Sequence, residues 1–534
     1  MISTIVFFIV LLAAWILPVT LKVKRSVHML QLNFYQNEEL NKWMSNNMNK
    51  VFSPIEVLYF TPIILVIFSD ADNFILAGSA AAFIIVFGYL YATRPEKEGD
   101  LEYTPQIQRI FGVTYLLYGV GSALAIAIGA FISIEFSVVV LIVLACLPFT
   151  LVKITNSLLE PVERNINQRS IDDAKRLIQA SPDLKVIGVT GSAGKSSVKT
   201  FAEAILSEKY NVLVTSGSYH TELSVTETIN EQLKPDHEVF IVEMNAKQEG
   251  DIASICGVVG QEYGIISSIS EEHMETFGSL ETIKKTKHEI VETLPENGTA
   301  LLNKDDENIR SYEAANPVKS VYYGIEQEDV DIRASEIAYS RKGTSFKVVT
   351  ADGETENFQT CLLGKHNIYN LLAAIALGLE MNMTLSQMIL PIKNIAPLKR
   401  SLELKPQKGN ITIIDDSNNS DPAGSKRAVE ILGKMNGYRM LITPGIMNLE
   451  ESEYEWNKEW SRYSAEKCDY IILVGEKLTK YFQEGLEEVK FPKDNYYVAE
   501  DFNDAIQHMH KIAKPETIAL FDNNYPEAAG DHSQ

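Results

Sequence analysis

The chain has 534 residues, more than a single domain needs, and carries a formal net charge of -22 at pH 7. That charge speaks against a nucleic-acid partner, because a polyanion is repelled unless a basic patch intervenes, and the soluble part shows none. The four cysteines, Cys146, Cys256, Cys361 and Cys468, are scattered without CxxC or other metal spacing, so they suit a reducing compartment and read as ordinary core residues.

A mean hydropathy of -0.03 hides an asymmetry: nearly all long apolar runs lie in the first 155 residues. They predict a membrane domain, 1–155, with five transmembrane helices at 2–21, 52–69, 73–92, 110–132 and 135–153, each near the ~20 residues that cross a bilayer. The first run lacks a basic start and a small-residue cleavage site, and four more follow, so it is not read as a signal peptide. Glu56, Pro54 and Pro62 interrupt the second, with Glu56 expected at the interface. Lys22, Lys24, Arg25, Lys42 and Lys50 are expected in one loop and Arg94, Lys97 and Arg109 in another, opposite short connections bearing Asp70, Asp72 and Glu135. The positive-inside rule then sets a multi-pass plasma-membrane protein with its N-terminus outside and the rest of the chain cytoplasmic. Spaced apolar positions over 160–180 predict an amphipathic helix within a connecting segment, 156–183.

The next stretch carries the most chemistry. An apolar strand at 186–190 runs into Thr190-Gly191-Ser192-Ala193-Gly194-Lys195-Ser196-Ser197. Small residues let backbone N–H groups close around phosphate oxygens, the following helix offers its positive end, Lys195 adds a charge, and the Ser196 hydroxyl can reach Mg²⁺. A general P-loop would have glycine where Val189 stands, so the spacing is a shorter variant.

Further strands at 239–243, 264–269 and 300–303 alternate with helical stretches, predicting α/β with a mainly parallel sheet. Between 318 and 363 closely spaced strands suggest an antiparallel extension, and 370–380 reads as helix. A second α/β set, with strands at 411–414, 439–442, 470–474 and 517–521, predicts a smaller C-terminal domain, with 525–534 as a tail.

Several residues could act on a bound nucleotide. Glu243 ends an apolar strand, where a lone carboxylate is costly unless paired or bound to metal. His273 follows the next strand, where parallel sheets place ligands, and is either a ligand or a surface residue. Periodicity puts Lys287 among solvated lysines. Gly364-Lys365-His366-Asn367, followed by Asn370, stand at a helix start, where asparagine would cap and His366 could meet a nucleotide edge, with capping alone an equal reading. Asp415 and Asp416 end a strand, so alternation lets at most one face a cleft.

Taken together, TGSAGKSS, VEMNA, EEHMETFGS followed by KHEI, LLNKDD, LGKHNIYNLLAA and IDDSNNSDP resemble the Mur ligase family, most closely the type that adds D-alanyl-D-alanine to a UDP-N-acetylmuramoyl tripeptide. The resemblance covers about 184–525 and implies a P-loop Mur-type central ATPase domain, 184–396, and a Rossmann-like C-terminal domain, 397–534. It implies an ATP- and Mg²⁺-dependent ligase in cell-wall synthesis that activates a carboxylate as an acyl phosphate. Lys195 would hold the β/γ-phosphates, Ser196 and Glu243 one Mg²⁺, and His273 a second. Lys287 matches the family's carbamylated lysine, a reversal of its periodicity reading. Asn367 and Asn370 would meet the nucleotide, and Asp416 the ribose. Serines 196 and 197 replace threonines, Asn245 a glycine, Asn418 a tyrosine and Asp421 an asparagine; the expected arginine at 401 is Ser401, with Arg400 one place early. Where the family carries a UDP-sugar domain, this chain has its apolar segments. The carboxylate acceptor is thus expected to be a UDP-muramoyl peptide or a lipid-linked precursor, and the amine an amino acid or dipeptide. The alternatives are a Mur-type ligase for another carboxylate, such as a polyglutamate or lipid-linked peptide, and a nucleotide-binding membrane scaffold without ligase activity.

Overall fold

The computed structural model describes residues 2–33, 35–60, 72–92, 101–129, 131–217, 221–272, 274–397, 399–405, 410–419, 421–446, 453–476 and 479–523. It divides into two compact units, Met1–Arg169 and Ser170–Gln534.

The first unit is helical. Ile2–Leu32, Asp72–Ala92, Pro105–Gly129 and Ile134–Cys146 are its long apolar helices, and Pro148–Gln179 begins in it. Trp15 anchors the packing: its indole N–H donates to the Leu141 carbonyl at 2.8 Å, and its ring meets Tyr118 edge-on at 5.9 Å.

Four expectations change here. The first helix does not stop at residue 21 but runs to Leu32, because lysine and arginine propagate a helix readily, so Lys22, Lys24 and Arg25 lie within it and not in a loop. Glu56 is buried on the 3₁₀ turn Pro54–Phe60 and paired, 2.5 Å from the Lys22 Nζ. Residues 61–69 of the second expected span, like Asp70, lie outside the described residues. The fifth expected span is broken at Leu147, where Pro148 starts a new helix at a 71° bend, and that helix absorbs the connecting segment as far as Gln179. By length and composition, one helix among the described residues, Pro105–Gly129, suffices to cross a membrane, or two if the bent pair is one span. The described helices therefore do not carry the count of five.

The second unit holds two sheets. The first orders nine strands β2-β3-β1-β4-β5-β6-β7-β8-β9. They are β1 (Lys185–Thr190), β2 (Val212–Val214), β3 (Val239–Glu243), β4 (Tyr263–Ile266), β5 (Thr299–Asn303), β6 (Lys319–Gly324), β7 (Ile332–Ser340), β8 (Gly343–Thr350) and β9 (Thr355–Thr360). Pairing is parallel through β7, and β7, β8 and β9 form the antiparallel extension. Alternation along the central strands feeds two cores: Ile187, Val189 and Ile241 enter one, Val186, Phe240 and Val242 the other. Helices therefore cover both faces. The strand order turns back at β1, which sits between β3 and β4, and such a switch opens a crevice at the carboxyl ends of the strands. Strand β4 ends at Ile266, three residues short of expectation, because Ser267 to Ser270 turn toward that crevice to bond Ser192 and Ala193 in the turn after β1.

The second sheet orders β10-β11-β15-β12-β13-β14: β10 (Glu403–Leu404), β11 (Ile411–Asp416), β12 (Tyr438–Thr443), β13 (Tyr470–Val474), β14 (Tyr496–Ala499) and β15 (Thr517–Asp522). Only the β10–β11 pair is antiparallel. The expected tail, 525–534, lies outside the described residues.

Candidate active site

The turn between β1 and the helix Lys195–Leu206 depends on two glycines. Gly194 has φ +85°, a left-handed conformation, and a Cβ there would stand 2.5 Å from the Asn370 Oδ1. Gly191 packs as closely: its Cβ would lie 2.1 Å from the Ser267 hydroxyl. Without side chains the loop lies against both the helix Lys365–Glu380 and the end of β4. Lys195 folds back so that its Nζ donates to the carbonyls of Gly191 and Ser192, both at 2.8 Å. Burial lowers its pKa.

The loop is tied to the turn after β4. The Ser192 N–H donates to the Ser268 carbonyl at 2.7 Å and the Ala193 N–H to the Ser268 Oγ at 3.1 Å, while the Ser267 Oγ donates to the Ala193 carbonyl at 2.5 Å. His273, farther along this turn, lies outside the described residues.

Glu243, fully buried at the end of β3, meets the helix Lys195–Leu206 from below. The Ser196 Oγ donates to its Oε1 at 2.7 Å, and the Lys199 Nζ sits 3.0 Å from its Oε2. Lys287, on the helix Leu280–Glu292, is 3% exposed, so its side chain is not solvated as periodicity indicated. Helix amphipathicity alone misplaces it because the face it shares with Ile283, Ile290 and Val291 is the buried one. Its pKa is pushed down to about 8, first by burial and then by the charge of Lys195.

Opposite the loop, a cleft of about 630 Å³ is walled by both sheets' domains; Ala193, Gly194, Ser196, Asn370, Asp416 and Arg427 line it. Ser197 and Asn367 line it too. The Asn367 amide donates to the Leu363 carbonyl at 2.8 Å, and the helix start is capped by Gly364 instead of a side chain. Asp416 accepts from the Leu402 N–H at 2.8 Å and from the Asn419 amide at 3.1 Å. Asp415, on the other face of β11, accepts from the Ser417 N–H and hydroxyl. Burial raises Asp416 to about 6, and its strand neighbour Asp522 is raised well above the ordinary value by burial and by Asp416. Asp421, at the place of an expected asparagine, caps the helix Pro422–Gly433 by accepting from the Gly424 N–H at 2.8 Å.

The structure thus brings Gly191, Ser192, Ala193, Gly194, Lys195, Ser196, Ser197 and Glu243 into one strand-end cluster, with Asn370 packed against Gly194 and Asn367 and Asp416 lining the same cleft. Lys287 is buried near Lys195 and does not line the cleft. Sequence reading passed over Lys199, Ser268, Arg427 and Asp522. Lys199 was legible, since it stands three residues after Ser196 and so on the same helix face. Asp522 and Arg427 reach the site only through the sheet pairing and the packing of a distant helix, which no local pattern encodes.

A family profile described as the Mur ligase middle domain matches residues 189–378. The UDP-N-acetylmuramoyl-tripeptide--D-alanyl-D-alanine ligase of Escherichia coli (strain K12) is 30% identical over 295 residues, which are 55% of this chain and 65% of the relative. The enzyme of that name from Bacillus subtilis (strain 168) is 28% identical over 340 residues, 63% of this chain and 72% of the relative. The chain thus spans just under two thirds of the Escherichia coli relative's length. Among solved structures, a crystal structure of MurF from Acinetobacter baumannii aligns with a TM-score of 0.53 and 24% identity, covering 67% of this chain and 77% of that one. MurF from Thermotoga maritima in complex with ADP aligns with a TM-score of 0.53 and 20% identity, covering 67% of this chain and 80% of that one. These structures share a fold with about two thirds of this chain, and residues 189–378, from β1 through the helix Lys365–Glu380, match the Mur ligase middle domain.

Proposed function

We propose that this chain is an ATP-dependent carboxylate–amine ligase of the MurF type, working through an acyl phosphate in peptidoglycan or related cell-wall precursor synthesis. The observation that carries the reading is the strand-end cluster, in which the phosphate loop, the Ser196–Glu243 pair and the buried Lys287 share one end of the sheet.

The donors fit a nucleotide-bound Mg²⁺. This ion is usually held by one or two carboxylates together with substrate phosphates, and Ser196 and Glu243 offer a hydroxyl and a carboxylate 2.7 Å apart. Among the described residues no group of three or more His, Cys, Asp and Glu assembles, so the phosphates would complete the set. Mg²⁺, when bound, neutralises charge on the phosphates. His273 is proposed as a ligand of a second ion.

In the reaction, a substrate carboxylate oxygen attacks the γ-phosphorus and the bond to the ADP oxygen breaks. A neutral amine then attacks the acyl carbon, inorganic phosphate leaves, and the nitrogen loses a proton. Lys195 would release its loop carbonyls to face the β/γ-phosphates, Asn367 and Asn370 would meet the nucleotide, and Asp416 would accept from the ribose. Charge stabilisation and positioning supply the rate. A Lys287 amine with its pKa near 8 is roughly a quarter neutral at pH 7.5, and only the neutral amine adds CO₂. The carbamate so formed, with release of a proton, would be an anion beside Lys195.

The acceptor is a UDP-muramoyl tripeptide or its lipid-linked counterpart, and the amine is a dipeptide. The first unit would hold the site at the cytoplasmic face of the plasma membrane, with the N-terminus outside. Support comes from exposed apolar side chains such as Ile9, Ile16, Ile85, Leu116, Leu124 and Val143. Beyond residue 169, Leu177, Leu223, Met274, Leu390, Trp456 and Val489 are the only exposed large apolar side chains among the described residues.

Phosphate release by the detergent-solubilised full chain, with each acceptor and D-alanyl-D-alanine, tests the reading. Amide product with one acceptor is expected; nucleotide binding with background release for every pair favours the scaffold. A reporter fused after Lys153 should report from the cytoplasm, and a signal from outside overturns the orientation.

A further inference from the structure

Lys199 is 7% exposed and three residues beyond Ser196, so the two side chains leave the same helix face one turn apart. Its Nζ is 3.0 Å from the Glu243 Oε2 and donates to the Thr215 carbonyl at 2.9 Å. The Thr215 hydroxyl in turn accepts from the Glu243 N–H at 3.1 Å. The carboxylate is therefore held by its backbone and by one oxygen. Its other oxygen, Oε1, meets Ser196, which is exposed at the cleft.

We propose that Lys199 is a positioning residue that anchors Oε2, so that Glu243 presents Oε1 alone to the nucleotide-bound cation and the site selects a small divalent ion over a large one. This rests on the nucleotide reading given above. The physical argument is coordination geometry. Ca²⁺ accepts 6–8 oxygens and readily takes a carboxylate through both, whereas Mg²⁺ demands near-octahedral geometry and binds carboxylates through one. A cation on Oε2 blocks the two-oxygen mode for an incoming ion by charge and by space. Ser196 supplies a second ligand beside Oε1 and does not relieve that block. Lys199 thus does what a metal ligand cannot, making the site narrower without touching the ion.

The test reads nucleotide binding by the full chain, not turnover. Affinity for ATP is measured by calorimetry without metal, with Mg²⁺ and with Ca²⁺. Wild type should gain more affinity from Mg²⁺ than from Ca²⁺, roughly fivefold or more, given the different geometries. Lys199→Met should keep its metal-free affinity and lose most of that ratio, through stronger Ca²⁺-supported binding. Lys199→Arg, which keeps a cation on Oε2, should retain the ratio. Should the methionine variant fail to fold, Lys199→Gln replaces it, since its amide ends one atom short and cannot reach both the carboxylate and Thr215; the same drop in ratio is expected. An unchanged ratio in the folded methionine or glutamine variant, or equal losses with every metal condition, overturns the inference. A wild-type chain that binds no nucleotide under any condition overturns the nucleotide reading itself, which keeps the two failures apart.

Discussion

Each of the two units buries a Lys–Glu pair, and the surroundings of the pairs differ. In the first, Glu56 accepts from the Lys22 ammonium at 2.5 Å and from the Ser53 N–H at 2.8 Å, among apolar helices, with Phe52 at 6.0 Å from the ammonium. In the second, Glu243 is held by Lys199 on its inner side and by Ser196 at the cleft. The first network closes on itself; the second leaves one partner at the surface of the cleft. A closed pair can be exchanged for apolar residues without functional loss, whereas an open one has a ligand-facing oxygen that apolar residues cannot supply.

Breaking the closed pair should give the largest effect on stability. Glu56→Ala leaves a buried ammonium uncompensated and should cost about 3–5 kcal/mol, read as a lower melting temperature of the detergent-solubilised chain. Joint replacement, Lys22→Met with Glu56→Leu, should recover most of that loss, since no charge is then left buried. Nucleotide affinity should be unchanged in the double variant; a coupled loss would erase the distinction between closed and open pairs.

On the open side, Lys287→Ala should lower turnover by roughly 10²–10³-fold with little change in melting temperature, the size expected for removing one charge stabiliser from a reacting centre. High bicarbonate should restore part of it if a carbamate is what the site uses. Full activity in the alanine variant would remove Lys287 from the mechanism.

How much of this was legible follows from where the information resides. The phosphate loop is local, and its strand, two glycines, lysine and hydroxyl read directly from 186–196 because each requirement is met by neighbours in sequence. The sheets were legible for the same reason: β1, β3 and β12, β13 and β15 are buried on both faces and read as apolar runs. Lys287 was misread by periodicity, because a lysine on a helix marks solvent only until packing turns that face inward. In the helical unit, apolar length was legible but helix ends were not. Lys22 looked like a loop residue because its partner, Glu56, is 34 positions away. The break at Leu147 turns on Pro148, which a hydropathy window averages away.

Asp416 offers a smaller, pH-dependent contrast with the ion pairs. Its carboxyl is raised from 3.8 to about 6 by burial, so between those values the folded chain holds a proton that the unfolded chain releases. The stability it contributes is fully present below the unfolded value and is lost as pH rises through about 6. Asp416→Asn should therefore gain about 1–3 kcal/mol relative to wild type on going from pH 4 to pH 7.5, measured by melting across that range. On the proposed role of Asp416 at the ribose, nucleotide affinity should fall in the same variant, because an amide is a poorer acceptor for a hydroxyl. A variant with the wild-type pH slope would show that burial does not set the proton on Asp416.

The smallest effect separates the loop's shape from its charges. Gly194→Ala forces a side chain into φ +85°, at a cost of about 1–2 kcal/mol, and pushes its Cβ toward the Asn370 amide 2.5 Å away. Because Asn370 is buried on the helix Lys365–Glu380, the helix cannot simply move aside, and the loop is the part that yields. The expected outcome is a roughly tenfold loss of nucleotide affinity, from about 1.4 kcal/mol, with Lys195, Ser196 and Glu243 chemically intact. Adding Asn370→Ala removes the steric partner but not the backbone strain. If the double variant regains affinity, the close approach of Asn370 shapes the loop; if it does not, the left-handed turn at Gly194 does so alone. The closed pair of the first unit has no counterpart to this dependence, since Lys22 and Glu56 sit on a helix and a 3₁₀ turn and neither is at positive φ.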